Sequence, residues 1–313
     1  MCALRTSLTY INHEDILKIM GGMRISVPVG FNHQNKEQDE WLNDVDNEKL
    51  SGWSVIENEY NSSLKQIGTL GGGNHFIEIQ KGDDGRVWIM IHSGSRNIGY
   101  KVADHYNKLA IKLNSVWCSS VPKEHQLAFL PINSEEGQNY LTEMRCCVDF
   151  ALANRKFMMN RVKEAFVNII DDIKFDNFIN IAHNYAVMEN HFNTNVMIHR
   201  KGATSARLGE QGIIPGSQGT SSYIVSGKGN KESFMSCSHG AGRMMGRKQA
   251  RKMLNLEDEQ RMLDDIGVIH SIRNKKDLDE APSAYKDISV VMKNQEDLVD
   301  IVVELKPLAV IKG

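Results

Sequence analysis

A glycine-rich turn that leads straight into an alternating run is the feature that most narrows the possible folds of this chain. Residues 68–73 have the sequence GTLGGG, and residues 74–79 (NHFIEI) follow with the period of two that predicts a strand. His75 and the other odd-numbered residues would share one face, and Glu78 and the other even-numbered residues the opposite face. No Gly-Lys-Ser/Thr ends the glycine stretch, and Phe76 stands where a GxGxxG motif needs its last glycine. A P-loop or Rossmann nucleotide site is therefore disfavoured.

Short apolar runs predict further strands on both sides of a helical middle. The predicted strands span residues 4–8, 87–91, 179–183, 196–198, 212–215, 221–225 and 301–311. Apolar residues spaced by three to four predict a helix over residues 100–117 and one or two long helices over residues 135–170. We therefore predict an α+β fold in a single domain, residues 1–313, with a strand-rich core, flanking helices and a helical insertion over about residues 100–170.

The composition predicts an ordinary soluble protein of a reducing compartment. Hydrophobic residues make up 41% of the chain and charged residues 24%, and the net charge of −2 means that nucleic-acid binding would need a local basic surface. Five cysteines without regular spacing do not suggest a secreted disulfide framework, and neither an 18-residue apolar run nor a signal peptide occurs. We expect a cytoplasmic protein. The polar residues 34–62 suggest a surface excursion anchored by Trp41 and Trp53.

Four histidines stand at predicted strand ends or beside glycine, where their rings could reach a ligand: His75, His92, His183 and His239. Imidazole together with carboxylate suits zinc, manganese, iron or nickel, so the set predicts a divalent-metal constellation. A lone histidine is more often a surface residue or a hydrogen-bonded core residue, and that alternative stays open for each of the four. The remaining seven histidines are assigned that ordinary role.

The segment SCSHGAGR, residues 236–243, places His239 between small residues at the predicted start of a basic helix over residues 241–253. Glycine lets a ligand approach closely, and a helix start would direct free N–H groups and a positive dipole end at a phosphate. Three arginines spaced by four would share one helix face: Arg243, Arg247 and Arg251. A bare imidazole in such a setting suits nucleophilic attack on phosphorus. A solvated basic helix with a chance histidine is the alternative.

A second turn, residues 215–222 (PGSQGTSS), offers hydroxyls and backbone donors of the kind that hold a phosphate or a base edge. Arg200 and Lys201 precede Gly202 and add cations beside another glycine turn. An ordinary Ser/Gly loop and solvated surface cations are the alternatives.

Seven blocks of sequence carry a resemblance to a known family. They are GTLGGGNHFIEI (68–79), HSGSR (92–96), HNY (183–185), RKGA (200–203), IIPGS (213–217), SHGAGR (238–243) and the terminal KG (312–313). In motif order and almost from end to end, the chain resembles the RtcB family, the GTP- and manganese-dependent RNA ligases. These enzymes join a 3′-phosphate or 2′,3′-cyclic phosphate end to a 5′-hydroxyl end. The resemblance implies an RtcB-like fold and an RNA substrate, such as tRNA or damaged RNA, and leaves room for an activating protein.

The resemblance also implies a role for each matching residue. His239 matches the histidine that becomes guanylylated, and manganese would be held by His75, His92 and His183. Guanylate would be held by the matching positions Asn74, His75, Phe76, Ile77, Glu78, His183, Asn184, Pro215, Gly216, Ser217, Gln218, Ser222, His239, Gly240, Ala241, Gly242, Tyr285 and Lys312. Tyr285 would contact the base. Phosphates or RNA would be bound by Arg96, Arg200 and Arg243.

One departure from the family concerns the metal site. In the family an Asp-x-x-Cys pair, which supplies a carboxylate and a metal-bridging thiolate, immediately precedes the strand that matches residues 2–6. Here the chain begins at Met1, and Cys2 lies too late to be that cysteine. We therefore expect at most one weakly held manganese ion per chain and impaired ligation. A non-catalytic GTP- and RNA-binding relative and a manganese-dependent phosphodiesterase are the alternative functions.

Overall fold

The computed structural model describes residues 1–38 and 54–313, so Trp41 and Trp53 lie outside the described residues. The described strands are β1 Cys2–Thr6, β2 Phe76–Gly82, β3 Val87–His92, β4 Phe175–Asn180, β5 Asn184–His191, β6 Thr194–Lys201, β7 Ala203–Ser205, β8 Gln211–Ile214, β9 Ser222–Gly227, β10 Ser236–Ser238 and β11 Val299–Lys312. The described α-helices are α1 His13–Ser26, α2 Ser54–Gln66, α3 Arg96–Val116, α4 Glu135–Val167, α5 Arg247–Met253, α6 Leu256–Asp265 and α7 Ile288–Lys293. The mixture of helix and sheet agrees with the predicted α+β class.

Seven strands form one sheet in the order β4-β1-β3-β2-β11-β9-β8, and every neighbouring pair is antiparallel. Two smaller sheets pair β5 with β6 and β7 with β10. In the large sheet, Phe76 at the start of β2 pairs with His92 at the end of β3 and with Lys312 at the end of β11. The antiparallel register therefore places the start of β2, the end of β3 and the end of β11 side by side, although these motifs are far apart in the sequence.

Both faces of the large sheet are covered, as the alternation in residues 74–79 predicts. Ile77 of β2 belongs to a hydrophobic cluster that includes Met20 of α1 and Phe166 of α4. Its neighbour Phe76 belongs to the cluster on the opposite face, with Leu263 of α6. Burial of one side chain of this size contributes about 1.5–3 kcal/mol, so the two clusters fix the register of β2. A slip by one residue would exchange the two faces.

The helices predicted over residues 100–117 and 135–170 correspond to α3 and α4, which connect β3 to β4. α4 is a single helix of 33 residues, and its Phe150 packs with Ile56 of α2 and Val102 of α3. The described end of the predicted polar excursion is therefore helical, and only Ile56 among residues 55–62 is buried, so this part lies at the surface as predicted. No helix in residues 1–38 and 54–313 is long and apolar enough to cross a membrane.

The basic helix predicted over residues 241–253 is shorter than expected. α5 begins only at Arg247, with Gly246 as its N-cap, and the preceding residues form a loop. Gly242 has a φ of +73°, a left-handed conformation that a right-handed helix does not accommodate. His239 consequently does not lie at a helix N-terminus, and the prediction of dipole-assisted phosphate binding there is wrong. Arg243 also lies outside the helix, so the three arginines do not share a helix face.

Candidate active site

Four histidine rings lie side by side at the edge of the sheet where β2 begins and β3 ends. His75 precedes β2 and His92 ends β3, and their ring centroids lie 5.7 Å apart. His183 lies in the loop after β4, which ends at Asn180, and its ring centroid is 5.1 Å from that of His92. His239 follows β10 and stacks on His183 with a centroid distance of 5.1 Å. The structure thus brings together all four histidines that the sequence singles out.

Backbone carbonyls orient two of these rings. Nδ1 of His239 lies 2.7 Å from the carbonyl oxygen of Gly202, and Nδ1 of His75 lies 2.9 Å from that of Leu70. A carbonyl only accepts hydrogen bonds, so each Nδ1 carries the hydrogen and each Nε2 keeps its lone pair. In both residues the Nε2 atom is therefore the one that can attack an electrophile or bind a cation.

All four rings are held in the neutral form. Burial lowers the pKa of His75 to about 4 and that of His183 to about 2. Burial also lowers the pKa of His92 well below its ordinary value, and it lowers the pKa of His239. Neutral imidazole is both the nucleophilic and the metal-binding form of histidine. The site therefore holds four potential donors that are ready at neutral pH.

The donor chemistry of three histidines fits a divalent transition metal. Nδ1 of His183 is buried and has no hydrogen-bond partner, which is a costly arrangement unless the atom meets a ligand. The ring centroid of His92 lies 5.1 Å from that of His183 and 5.7 Å from that of His75. Imidazole suits manganese, iron, nickel or zinc. Nevertheless, in the described ranges no three His, Cys, Asp or Glu side chains already form a metal-binding group. Binding would therefore require the rings to turn towards a common point.

A cavity of about 270 Å³ opens beside His239. Of the eighteen positions matched to guanylate binding, fourteen line it: Asn74, Phe76, Glu78, Pro215, Gly216, Ser217, Gln218, Ser222, His239, Gly240, Ala241, Gly242, Tyr285 and Lys312. These positions come from five separate segments of the chain, and three of the segments are brought together because β11 lies between β2 and β9 in the sheet. This volume is close to the lower end of about 300–1,000 Å³ for small-molecule sites, so the cavity suits a small ligand.

The other four matched positions lie elsewhere. Ile77 points to the opposite face of β2 and is buried in the hydrophobic core, because side chains alternate along a strand. Only its backbone could contact a ligand at this position. His75, His183 and Asn184 instead line a second, larger cavity that meets the first at Asn74 and His92.

A buried carboxylate, Glu280, organises the floor of the 270 Å³ cavity, and sequence reasoning did not find it. Its Oε1 lies 3.1 Å from Arg243 and 3.2 Å from Arg247, and its Oε2 lies 3.6 Å from Nζ of Lys312. Oε2 also accepts a hydrogen bond from the hydroxyl of Tyr285. Three cations gathered around one carboxylate leave the cavity with a positive surplus that favours an anionic ligand. The only sequence signal is that Glu280 shortly precedes Tyr285.

The ring of Tyr285, and not its hydroxyl hydrogen, is available to a ligand. The hydroxyl donates to Glu280 and accepts a hydrogen bond of 3.3 Å from Arg243, and burial raises the pKa of the phenol. The guanidinium of Arg243 also lies 5.0 Å from the ring centroid. Tyr285 is therefore fixed from two sides, and what it offers to the cavity is an aromatic surface.

The structure gives the three predicted phosphate-binding arginines different surroundings. Arg200 is 1% exposed and uses all five N–H groups on its neighbours, including two bonds to Glu189 of 2.7 and 3.0 Å. It has no donor left for a phosphate, so its predicted role is wrong. Arg96 donates to Thr69 at 3.0 Å and to Gly30 at 3.1 Å and thereby braces the glycine-rich turn. Arg243 alone lines the 270 Å³ cavity.

The turn over residues 215–222 satisfies many of its own polar groups. The backbone N–H of Gly216 donates to Ser222 at 3.2 Å, and that of Ser217 donates to Thr220 at 2.7 Å. A Cβ atom on Gly216 would lie 2.2 Å from the carbonyl oxygen of Ser221, so only glycine permits this compact turn. The turn therefore contributes a rigid wall to the cavity more than a set of free donors.

Comparison with known proteins identifies the family of the chain. A family model described as tRNA-splicing ligase RtcB matches residues 1–313. The chain belongs to the RtcB family. This confirms the resemblance that the seven sequence blocks carry.

Individual RtcB relatives match over most of the chain. The RNA-splicing ligase RtcB of Escherichia coli K12 is 37% identical over 336 aligned residues, which cover 100% of this chain and 81% of that protein. The tRNA-splicing ligase RtcB of Methanococcus maripaludis is 33% identical, and the alignment covers 83% of this chain and 62% of that protein. An RtcB homologue of Entamoeba dispar is 37% identical over 83% of this chain and 55% of its own length.

Proposed function

We propose that this chain is an RNA ligase that joins 3′-phosphate or 2′,3′-cyclic phosphate ends to 5′-hydroxyl ends through GMP carried on His239. Membership in the RtcB family supports RNA ligation in general terms and RNA as the substrate class. The observation that carries the finer proposal is the geometry of His239. Its ring is neutral, its Nδ1 is bound to the carbonyl of Gly202, and it lies in the wall of the positively charged 270 Å³ cavity.

His239 would act as a nucleophile in the first step. Its Nε2 lone pair attacks the α-phosphorus of GTP, a P–N bond forms, and pyrophosphate leaves as the bond to the β-phosphate breaks. The carbonyl of Gly202 holds the Nδ1 hydrogen and so stabilises the positive charge that develops on the ring. Arg243, Arg247 and Lys312 supply positive charge in the same cavity, which favours the charge that accumulates on the phosphate oxygens.

The two later steps transfer GMP and close the RNA strand. An oxygen of the RNA 3′-phosphate attacks the phosphorus bound to His239, and the P–N bond breaks. The 5′-hydroxyl then loses its proton and attacks the 3′-phosphate, and GMP leaves. A cyclic phosphate end is opened by water before this sequence starts. Manganese bound by His75, His92 and His183 would polarise phosphate oxygens as a Lewis acid.

A labelling and joining experiment tests the proposal. The chain is incubated with manganese and GTP labelled at the α-phosphate or, as a control, at the γ-phosphate, and is then denatured. We expect acid-labile label from the α-position only, and joining of RNA that carries 3′-phosphate and 5′-hydroxyl ends. Labelled protein without joined RNA would indicate the non-catalytic relative. Release of a cyclic phosphate end without label on the protein would indicate the phosphodiesterase.

Gly202 is expected to be required for the position of His239. Its φ is +71°, and an added Cβ would lie 3.2 Å from Cε1 and 3.3 Å from Nδ1 of His239. Gly202→Ala should therefore displace the imidazole and slow GMP transfer, besides destabilising the fold by about 1–2 kcal/mol through backbone strain. GTP labelling rates and urea unfolding measure the two effects.

Gly209→Ala is the matched control for this variant. Gly209 has a similar φ of +75°, but an added Cβ there meets nothing within 4 Å. Gly209→Ala should lose as much free energy of unfolding as Gly202→Ala, but it should be labelled by GTP at the normal rate. Equal labelling rates in the two variants would show that the contact with His239 is unimportant.

Nucleotide affinity is expected to rise with pH between 6.5 and 8.5. Burial raises the pKa of Glu78 to about 8, so this carboxyl is mostly protonated at neutral pH in the free protein. The carboxylate form accepts the two adjacent N–H groups of guanine, so binding favours loss of the proton, and affinity should level off above the pKa. Equilibrium binding of GTP at three pH values measures the trend.

Glu78→Gln should remove this pH dependence and weaken binding by about 10- to 100-fold, since a hydrogen bond to a charged group contributes about 1.5–3 kcal/mol. The substitution keeps the size of the side chain but loses one acceptor. A pH profile that stays unchanged in Glu78→Gln would show that another group titrates.

A further inference from the structure

Glu280 places a carboxylate in the wall of a cavity that is expected to hold the anionic phosphates of a nucleotide. Its side chain is buried, at the end of a 3₁₀ helix formed by Asp277–Glu280. A negative charge at this position repels phosphate and cancels part of the attraction from the three cations around it. Attraction for the phosphates is therefore not what Glu280 contributes to the cavity.

The carboxylate of Glu280 has no acceptor position left for a ligand. Its two oxygens already have four partners, which are Arg243, Arg247, Tyr285 and Lys312. A carboxylate offers about four lone-pair sites, and these partners use all of them. Any influence of Glu280 on a bound nucleotide must therefore pass through the side chains that it holds.

One of these side chains, Lys312, lies beside the carboxyl group of Glu78, to which guanine would donate its adjacent N–H groups. In the register of β11 with β2, Lys312 pairs with Phe76. Glu78, two residues further along β2, is consequently a diagonal neighbour of Lys312 on the same face of the sheet. Guanine carries the acceptor O6 where adenine carries a 6-amino donor. An ammonium held next to Glu78 therefore favours guanine over adenine.

Lys312 depends on Glu280 for its position and its charge. Lysine has a flexible stem, and in residues 1–38 and 54–313 Glu280 is the only ion-pair partner of Lys312. Burial lowers the pKa of Lys312, and the Glu280 carboxylate is the strongest influence that opposes this change. Without Glu280 the ammonium would therefore be less well ordered and less firmly charged.

Tyr285 depends on the same carboxylate, because its hydroxyl donates a hydrogen bond to Oε2 of Glu280. The ring lines the cavity, and an aromatic ring can stack on either purine. Since Lys312 approaches the same oxygen at 3.6 Å, one carboxylate holds both the stacking surface and the cation at the edge of the base.

We propose that Glu280 is a positioning residue for recognition of the guanine base, which holds the Tyr285 ring and the Lys312 ammonium in place although its charge weakens the attraction for the phosphates. This inference rests on the proposed function, because it takes a guanine nucleotide as the ligand of the 270 Å³ cavity. It assigns the charge of Glu280 to selectivity between purines and not to affinity for phosphate.

Equilibrium binding of GMP and AMP to the full chain, measured by isothermal titration calorimetry, tests the proposal. The two nucleotides carry the same ribose phosphate, so the ratio of their dissociation constants depends on the base. Glu280→Gln should lower the preference for GMP about 10-fold, as expected for loss of one hydrogen bond to a charged group. It should also strengthen the binding of pyrophosphate, because a negative charge leaves the cavity. An unchanged preference for GMP, or weaker binding of pyrophosphate, would overturn the proposal.

Tyr285→Phe is a second test that does not depend on the stability of Glu280→Gln. It removes the hydroxyl that Glu280 holds and keeps the ring. GMP and AMP should both bind more weakly and to a similar extent, because Lys312 keeps its partner. In the double variant, the loss of binding free energy for GMP should be smaller than the sum of the two single losses, since both substitutions disrupt one contact. Additive losses, or unchanged affinities in Tyr285→Phe, would contradict the role of Glu280.

Asp279→Asn is the matched control, because it removes the same charge one residue away in the same 3₁₀ helix. Asp279 pairs with Arg251 at 2.6 Å and lines neither the 270 Å³ cavity nor the larger one. This variant should keep the preference for GMP, and thermal unfolding verifies that both variants are folded. Equal losses of preference in Asp279→Asn and Glu280→Gln would overturn the proposal. Failure of the unchanged chain to bind GMP, or to become labelled by GTP, would instead contradict the proposed function.

Discussion

Replacing His239 with alanine is expected to abolish the transfer of GMP to the protein while leaving the fold intact. His239 lines the 270 Å³ cavity, and its neighbours Gly240 and Gly242 have no side chains that would pack against the ring. Removing the nucleophile eliminates the covalent step, because the proposed P–N bond forms at Nε2 of His239. Denaturing electrophoresis after incubation with α-labelled GTP should show no labelled protein above background.

His125→Ala provides the comparison for this variant, because His125 is exposed and lies outside both cavities. It should accept GMP at the normal rate. Circular dichroism and thermal unfolding should show that His239→Ala keeps its secondary structure and its cooperative transition. Covalent label on denatured His239→Ala would show that another residue is the nucleophile.

Replacing His75 or His183 with alanine is expected to produce the second-largest loss, through the metal. Mutation of a residue that only hydrogen-bonds to a metal ligand typically lowers metal affinity about 10- to 100-fold. We therefore expect the loss of a ligand itself to weaken manganese binding by about 100-fold or more. Manganese should also support activity better than magnesium, because magnesium prefers oxygen ligands to imidazole. Electron paramagnetic resonance titration of manganese measures the affinity directly.

The two histidine variants differ in a way that helps interpretation. The ring of His183 stacks on His239, so His183→Ala also removes support from the nucleophile. His75 contacts His92 and not His239, so its substitution tests the metal more selectively. His13→Ala, at an exposed position at the start of α1, serves as the control. Full activity of the unchanged chain with magnesium alone, or normal manganese affinity in both variants, would contradict the histidine metal site.

Features that depend on neighbours in the sequence could be predicted from the sequence. The alternation over residues 74–79 gave the correct two faces of β2, because side chains of a strand alternate regardless of what covers them. The long helices α3 and α4 were predicted for the same kind of reason, since their apolar spacing repeats over many turns. The motif blocks also identified the family, which the family model confirms.

Local rules failed where the backbone conformation of single residues decides the outcome. The predicted helix over residues 241–253 satisfied the charge spacing, yet Gly242 adopts a left-handed conformation and α5 starts only at Arg247. Propensity alone could not show this, because glycine is tolerated in a helix at modest cost and its φ is set by the surrounding packing. The sequence also could not distinguish a phosphate-binding arginine from the buried Arg200.

By itself the sequence determined the family, the alternation of side chains along β2, and which four of the eleven histidines are candidates for one site. The tertiary structure alone decided that Glu280 joins Arg243, Tyr285 and Lys312, and that a second cavity, with no aspartate or glutamate among its described lining residues, meets the 270 Å³ cavity at Asn74 and His92. The physical reason is the range of the interactions. Strand and helix patterns arise from contacts a few residues apart, whereas electrostatic clusters and cavities arise where distant segments are packed together, and their partners carry no common period in the sequence.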